Sequence, residues 1–141
     1  MPFQIRRATT ARDLGLVQQI HDSIFSRTED RDPRIGEGAW WLVWDKDTPV
    51  AFAGARRIPG TDQLYLCRVG VIRSARGNGL QRRLVRVRLQ WGRKQGLKEV
   101  LTDTVNWNVA SSNNLIKEGF TLFVPGYYWA GADSLYWCRN L

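Results

Sequence analysis

Cysteine is scarce in this chain: Cys67 and Cys138 are the only two in 141 residues, too few for a disulfide scaffold. Histidine is scarcer still, and the single His21 with two distant cysteines gives no zinc-ligand spacing, so no metal is expected. Long apolar runs are also missing. No stretch of about 18 apolar residues occurs, which excludes a spanning helix. The opening Met-Pro-Phe-Gln-Ile-Arg-Arg has no apolar signal core. The expectation is a cytoplasmic protein with reduced thiols packed as small hydrophobes and no membrane partner. Repeats, linkers and low-complexity tracts are absent, which predicts one domain over residues 1–141, long enough to bury a real core. Acidic residues are few against basic ones, 13 to 21, for a net charge of +8, and only 4 of the 21 basic residues are lysine. Such a surplus favours anionic partners: nucleic acid, an anionic membrane face, or a phosphate-bearing cofactor.

The pattern along the chain alternates strands and helices. Phe3–Ala8 reads as a strand. Thr10-Ala-Arg-Asp13 forms a capping-box-like start to a helix with the stripe Leu14, Val17, Ile20, His21, Ile24 and Phe25. Residues 26–38 are polar and read as a loop or a poorly formed helix. Ala39–Trp44 is apolar on both pleat faces, as an inner strand requires. A turn at Asp45–Asp47 returns the chain through Pro49–Arg56, and Pro59–Asp62 turns it again into Gln63–Ile72. Gly70 inside that strand suggests a bulge or a close approach to the backbone. Gly79–Gln95 is a helix with the stripe Leu80, Leu84, Val87 and Trp91, while Val85 and Leu89 suggest a second covered face. Gly96 ends it. Glu99–Val105 is a strand, Asn108 caps a short helix ended by Gly119, and Phe120–Val124 and Ser134–Arg139 are the last strands. The order β-α-ββ-β-α-β-α-β-β implies an α/β protein with a mixed sheet and helices on its faces.

Chemistry concentrates in Arg73-Ser74-Ala75-Arg76-Gly77-Asn78-Gly79, between a strand and a helix. Gly77 and Gly79 let backbone N–H groups converge without a Cβ in the way. The helix start adds free donors and the positive end of a dipole, which suits a pyrophosphate. Arg73 and Arg76 supply charge-assisted donors. A G-x-x-x-x-G-K-[S/T] loop is absent. A G-x-G-x-x-G fingerprint fails at its third glycine, where Arg82 stands, although Glu99 follows Gly79 by 20 residues, where a ribose-binding acid is expected.

Arg76-x-x-Gly79-x-Gln81 resembles the acetyl-CoA motif R/Q-x-x-G-x-G/A of the GNAT superfamily of N-acetyltransferases, with Gln81 at the usually small last position. Asn108-Val-Ala-Ser111 and the following Gly119-Phe120 resemble that family's N-x-x-S/A…G-F segment beside the pantetheine arm, 29 and 40 residues beyond Gly79. The strand order is similar along essentially the whole chain. The resemblance implies a mixed, largely antiparallel sheet splayed at its centre, with helices on both faces. It implies acetyl-CoA as co-substrate, held by Val71, Ile72, Arg73, Arg76, Gly77, Asn78, Gly79, Leu80, Gln81, Asn108 and Ser111. Gly70 marks the expected bulge, with free backbone groups near Val71 and Ile72 bonding pantetheine and an amide polarising the thioester. An amine acceptor attacks directly and needs a base. Tyr65–Val69 offers no carboxylate. Asp103 is best placed, with Asp62 and Glu37 behind it. The usual acid position holds Leu115 rather than Tyr, so Ser111, Ser112, Tyr127 or Tyr128 is left to meet the thiolate, or it leaves unaided. Homodimers are common in the family.

Plainer readings stand beside these. The glycine loop could be only a tight turn, and Asn108 only a cap. His21 could be a satisfied core histidine or a base. Arg82, Arg83, Arg86, Arg88 and Arg93 read as a solvated helix face, in part steering CoA. Trp40, Trp41 and Trp44 read as core and sheet surface or as an acceptor platform, and Cys67 as packing. Two other functions stay open: a basic nucleic-acid-binding module using the arginine helix, and a catalytically silent CoA-binding domain. A polycationic acceptor sits poorly with the +8 charge.

Overall fold

The computed structural model describes residues 3–25 and 32–141. Of the segment expected as a loop or poorly formed helix, residues 26–38, residues 26–31 lie outside them. Seven strands form one sheet: β1 (Phe3–Ala8), β2 (Ala39–Asp45), β3 (Thr48–Arg57), β4 (Gln63–Val71), β5 (Glu99–Val105), β6 (Thr121–Leu122) and β7 (Ser134–Asn140), in the order β1-β2-β3-β4-β5-β7-β6. The helices are α1 (Ala11–Phe25), α2 (Leu80–Lys94) and α3 (Val109–Lys117). The β1–β2, β2–β3, β5–β7 and β6–β7 pairs are antiparallel, and β4–β5 is parallel. The mixed, mostly antiparallel α/β sheet is therefore as expected. Packing divides the chain into two compact units, Met1–Arg56 with Cys67–Leu84, and Arg57–Leu66 with Val85–Leu141.

In the first unit, the Asp13 amide donates to Thr10 Oγ1 at 3.1 Å and caps α1. The apolar face of α1 buries Val17 and Ile20 in a cluster with Ala8, Trp40, Leu42, Trp44 and Phe52. Val17, Ile20, Leu42 and Phe52 each contribute roughly 1.5–3 kcal/mol on burial. β2 is buried from Ala39 through Trp44, as an inner strand demands. Trp40, Trp41 and Trp44 are at most 8% exposed, so they are core and not an acceptor platform. Arg6 and Arg7 lie over the Trp44 and Trp41 rings at 5.5 and 5.1 Å. Gly70 has a packing reason for its missing side chain: a Cβ there would lie 2.6 Å from Phe52 and 2.7 Å from Ile24. The register irregularity on the β2–β3 pair falls at Val43/Trp44.

Gly54 sits opposite Trp40 in the β2–β3 register, and a Cβ would lie 2.5 Å from the buried indole ring. Gly15, exposed on α1, has nothing within 4 Å of a would-be Cβ. Opposite effects are expected from the same substitution. Gly54→Ala should destabilise by about 1–3 kcal/mol through overpacking, and Gly15→Ala should stabilise by about 0.5–1 kcal/mol through helix propensity. Urea unfolding of both variants checks the signs.

In the second unit, Gly96 ends α2 with φ +78°. The Leu97 amide reaches the Gly92 carbonyl at 3.0 Å and the Gly96 amide that of Arg93 at 3.0 Å, a Schellman closure. The buried face of α2 differs from the expected stripe. Leu80, Leu84, Val85, Arg88 and Leu89 are buried, whereas Val87 and Trp91 are only half-buried. The seam follows i, i+4 and i+5 and continues to Gly92, which abuts Leu64, where a Cβ would come within 2.8 Å of the leucine. Phe120–Val124 shrinks to the two-residue β6, and beyond it the Phe123 amide still bonds the Tyr136 carbonyl at 2.9 Å.

Candidate active site

The loop entering α2 begins as a 3₁₀ turn at Arg73–Ala75 and then passes through Gly77 at φ +80° and Gly79 at φ +72°. Both values favour glycine, and a Cβ at either would meet nothing within 4 Å. Ala75 is buried and anchors the turn, while Asn78 Nδ2 donates to the Ala75 carbonyl at 2.9 Å. The Arg76 Nε donates to the Val71 carbonyl at 3.0 Å, tying the guanidinium back to the end of β4. Among the described residues, the backbone N–H groups of Gly77, Asn78, Gly79 and Leu80 reach no protein acceptor. Four successive open amides at a helix start, with Arg73 and Arg76 exposed beside them, suit a diphosphate. The open volume where each glycine lacks a side chain lets the ligand approach the backbone. Ile72 departs from expectation: its amide donates to the Val50 carbonyl at 3.0 Å and so is not free for pantetheine, and its carbonyl already accepts from the Ala75 amide at 3.0 Å.

His21 is a satisfied core residue. Its side chain is fully buried, with Nε2 3.2 Å from Arg68 Nη1 and Nδ1 3.0 Å from Asp22 Oδ1. A guanidinium can only donate, so Nε2 accepts, and the proton sits on Nδ1 facing Asp22. No nitrogen is left to act as base. The hydrogen bond from His21 holds the Asp22 carboxyl below its ordinary pKa, with Gln18 adding a second donor. The Arg68 guanidinium stacks over Phe25 at 5.3 Å.

In the second unit, Asp103 on β5 is half-buried. Its Oδ2 accepts from Tyr65 Oη at 2.5 Å and from Trp129 Nε1 at 3.0 Å. Among the described residues Oδ1 has no hydrogen-bond partner, and it is not sealed from solvent. The carboxylate is thus fixed through one oxygen and open through the other. Trp129 is in turn set by Tyr136, at 4.6 Å between ring centroids, and by Tyr127 and Phe123 at 5.9 and 6.4 Å. Asp103 and Tyr136 are directly paired across β5 and β7, which puts their side chains on one face. Tyr65 and Trp129 are partners that the sequence reading missed. They lie 38 and 26 residues from Asp103 and carry no local signature.

The Asn108 side chain accepts from the Ser111 amide at 3.1 Å, so capping is real and engages both residues. Ser112 shares a 3.3 Å hydroxyl contact with Thr104, which accepts from Trp137 Nε1 at 3.0 Å. Tyr128 is exposed and stacks on Tyr136, whereas Leu115 is buried. Asp62 and Glu37 are exposed, the latter 3.7 Å from Arg34. Cys67 and Cys138 are free thiols, and Cys67 packs against the core of the first unit.

The arginines of α2 do not form one solvated face. Arg88 is 2% exposed. Arg83 is half-buried and donates to the Phe3 carbonyl at 3.4 Å. Arg86 grips the buried Glu118 carboxylate through two bonds of 2.9 and 3.0 Å, which pushes its guanidinium pKa further up. Among the described residues no helix is long and apolar enough to cross a membrane.

A strand, a glycine loop and a helix start with open amides together form a site suited to a diphosphate-bearing ligand. Residues 11–120 match the model of the acetyltransferase (GNAT) family, and the chain belongs to that family. No curated protein matches it by sequence. Its fold is similar to a Bacillus subtilis acetyltransferase solved in complex with CoA, with TM-score 0.78, 13% identity, and 99% of each chain covered. It is also similar to the yncA protein of Salmonella typhimurium, solved with its cofactor acetyl-CoA, with TM-score 0.78 and 17% identity over 99% of this chain and 94% of that one. The ribosomal-protein-S18-alanine N-acetyltransferase from Escherichia coli superposes with TM-score 0.73 at 16% identity, covering 98% and 93%.

Proposed function

We propose that the chain moves an acetyl group from acetyl-CoA to a primary amine, by direct attack in a ternary complex. The observation that carries this reading is the run of open amides from Gly77 to Leu80 beside Arg73 and Arg76. Bound there, the co-substrate supplies an acetyl thioester activated for transfer. Gly77, Asn78, Gly79, Leu80 and Gln81 cradle the diphosphate, and Arg73 and Arg76 neutralise it. Asn108 and Ser111 serve the pantetheine side.

Asp103 is the base in this reading. Its open Oδ1 takes the ammonium proton while Tyr65 and Trp129 hold Oδ2. The Tyr128 phenol or the Ser111 hydroxyl returns a proton to the thiolate, because the buried Leu115 has none to give. A covalent route through cysteine lacks its partner: both ring nitrogens of His21, the chain's single histidine, are engaged within the fold. The Escherichia coli neighbour, an alanine N-acetyltransferase by name, supports an amine acceptor. The engaged arginines of α2 speak against nucleic acid as the ligand.

The test follows thiol release from acetyl-CoA across a panel of primary amines, with CoA binding measured in parallel by calorimetry. Saturable binding and amine-dependent release are expected. Binding without release on any amine would identify a silent CoA-binding domain, and absence of binding would overturn the reading altogether.

A further inference from the structure

Trp129 stands at the corner of a turn in the second unit, which the Gly131 amide closes on the Tyr128 carbonyl at 3.2 Å. Ala130 and Gly131 are exposed, and Gly131 takes φ +98°. One buried side chain reaches into this turn. Tyr136 is 4% exposed, and its hydroxyl accepts from the Ala130 amide and donates to the Gly131 carbonyl, both at 3.0 Å. The ring of the same residue meets the Trp129 indole edge-on, with centroids 4.6 Å apart and planes at 76°. Tyr136 therefore holds Trp129 twice: its hydroxyl fixes the backbone that follows, and its ring fixes the indole. The indole N–H, a donor only, goes to Asp103 Oδ2 at 3.0 Å. Tyr136 stands opposite Asp103 in the β5–β7 register, but its hydroxyl is engaged in the turn, so its hold on that carboxylate runs through Trp129.

We infer that Tyr136 is a positioning residue for the base: its hydroxyl sets the turn that aims the Trp129 indole at Oδ2, and so keeps Oδ1 as the oxygen open to the acceptor. This inference rests on the reading of Asp103 as the base. A carboxylate turns readily about its last bond and has two equivalent oxygens. Two donors on one oxygen, Tyr65 Oη and Trp129 Nε1, remove that freedom. With the turn loosened, Tyr65 alone remains, the carboxylate swings, and alignment with the attacking amine is lost. Tyr136→Phe isolates the effect, because the ring contact stays while both hydroxyl bonds go. Their backbone partners belong to exposed residues, so water replaces the lost bonds and the fold persists.

The experiment compares the unmodified protein, Tyr136→Phe, Asp103→Asn and the double variant in two readouts. The first is solvent exchange of the Trp129 indole proton by NMR, which needs no substrate. Tyr136→Phe should speed this exchange about tenfold, because the indole leaves its acceptor more often. The second is steady-state kinetics of amine acetylation. Tyr136→Phe should lower kcat about tenfold and leave the KM for acetyl-CoA within about twofold, as misalignment of a base requires. In the Asp103→Asn background the same substitution should change kcat by less than about twofold, since the group it positions is gone. Indole exchange unaltered by Tyr136→Phe, or a kcat loss that simply multiplies with that of Asp103→Asn, would overturn the inference. Failure of the acetyltransferase reading would show separately: the unmodified protein would release no thiol from acetyl-CoA, while faster indole exchange in Tyr136→Phe would still establish the link from Tyr136 to Trp129.

Discussion

Gly79→Trp is expected to reduce coenzyme A affinity at least 100-fold, or about 3 kcal/mol. Two physical effects combine. The backbone at Gly79 stands at φ +72°, where any side chain costs roughly 1–2 kcal/mol. Against that modest strain, a Cβ meets no protein atom within 4 Å, so the fold itself does not resist the new group. The indole would instead fill the space through which a diphosphate reaches the amides of Gly77, Asn78, Gly79 and Leu80. Gly60 provides the control: φ is +76° and its surroundings are equally open, but it belongs to a turn with no anion-binding character. Gly60→Trp should therefore lose similar stability and keep full affinity. Arg76→Glu attacks the same site by charge and also removes the bond to the Val71 carbonyl. Its deficit should shrink as ionic strength rises, since screening weakens the introduced repulsion. Calorimetric titration of the three variants at matched salt decides the matter. Gly79→Trp binding within threefold of the unmodified protein would place the diphosphate elsewhere.

Elements with unambiguous periodicity or punctuation could be read directly from the sequence. β1 and β5 end where their patterns end, Thr10 and Asn108 are side-chain caps, and Gly96 closes α2. The backbone of the glycine loop is equally legible, because Gly77 at φ +80° and Gly79 at φ +72° take a conformation that favours glycine. Burial on α2 was harder to see. Five arginines interrupt its apolar pattern, so two stripes compete, and the long apolar stem of Arg88 lets a nominally polar position lie inside. The backbone of Ile72 was misjudged for a related reason: whether an amide is free depends on the neighbouring strand, here the Val50 carbonyl. Asp103 could be singled out by position, but what orients it could not. Tyr65 and Trp129 reach it only through the β4–β5 pairing and the segment before β7. Sequence spacing does not encode such tertiary meetings.

Asp103→Asn should leave CoA affinity within about twofold while lowering kcat for amine acetylation by 10²–10⁴, the range typical of general-base loss. The substitution is nearly isosteric. An amide oxygen in the place of Oδ2 can still accept from Tyr65 and Trp129, so the indole and phenol keep their partners and the fold should persist. What changes is the open side. Oδ1 becomes an amide NH₂, which offers protons where the carboxylate accepts them. The amine must then arrive already deprotonated, and with an ordinary alkylamine pKa near 10 only about one molecule in a thousand does so at pH 7. The variant's kcat/KM should therefore climb tenfold per pH unit up to that pKa, approaching the unmodified enzyme at high pH. A structural defect would lower activity evenly across pH and would not yield this slope. Tyr65→Phe gives the complementary change: it removes one of the two donors that hold Oδ2 and should lower kcat severalfold with CoA binding intact. An Asp103→Asn rate within threefold of the unmodified enzyme at pH 7 would move the base to another residue or to solvent.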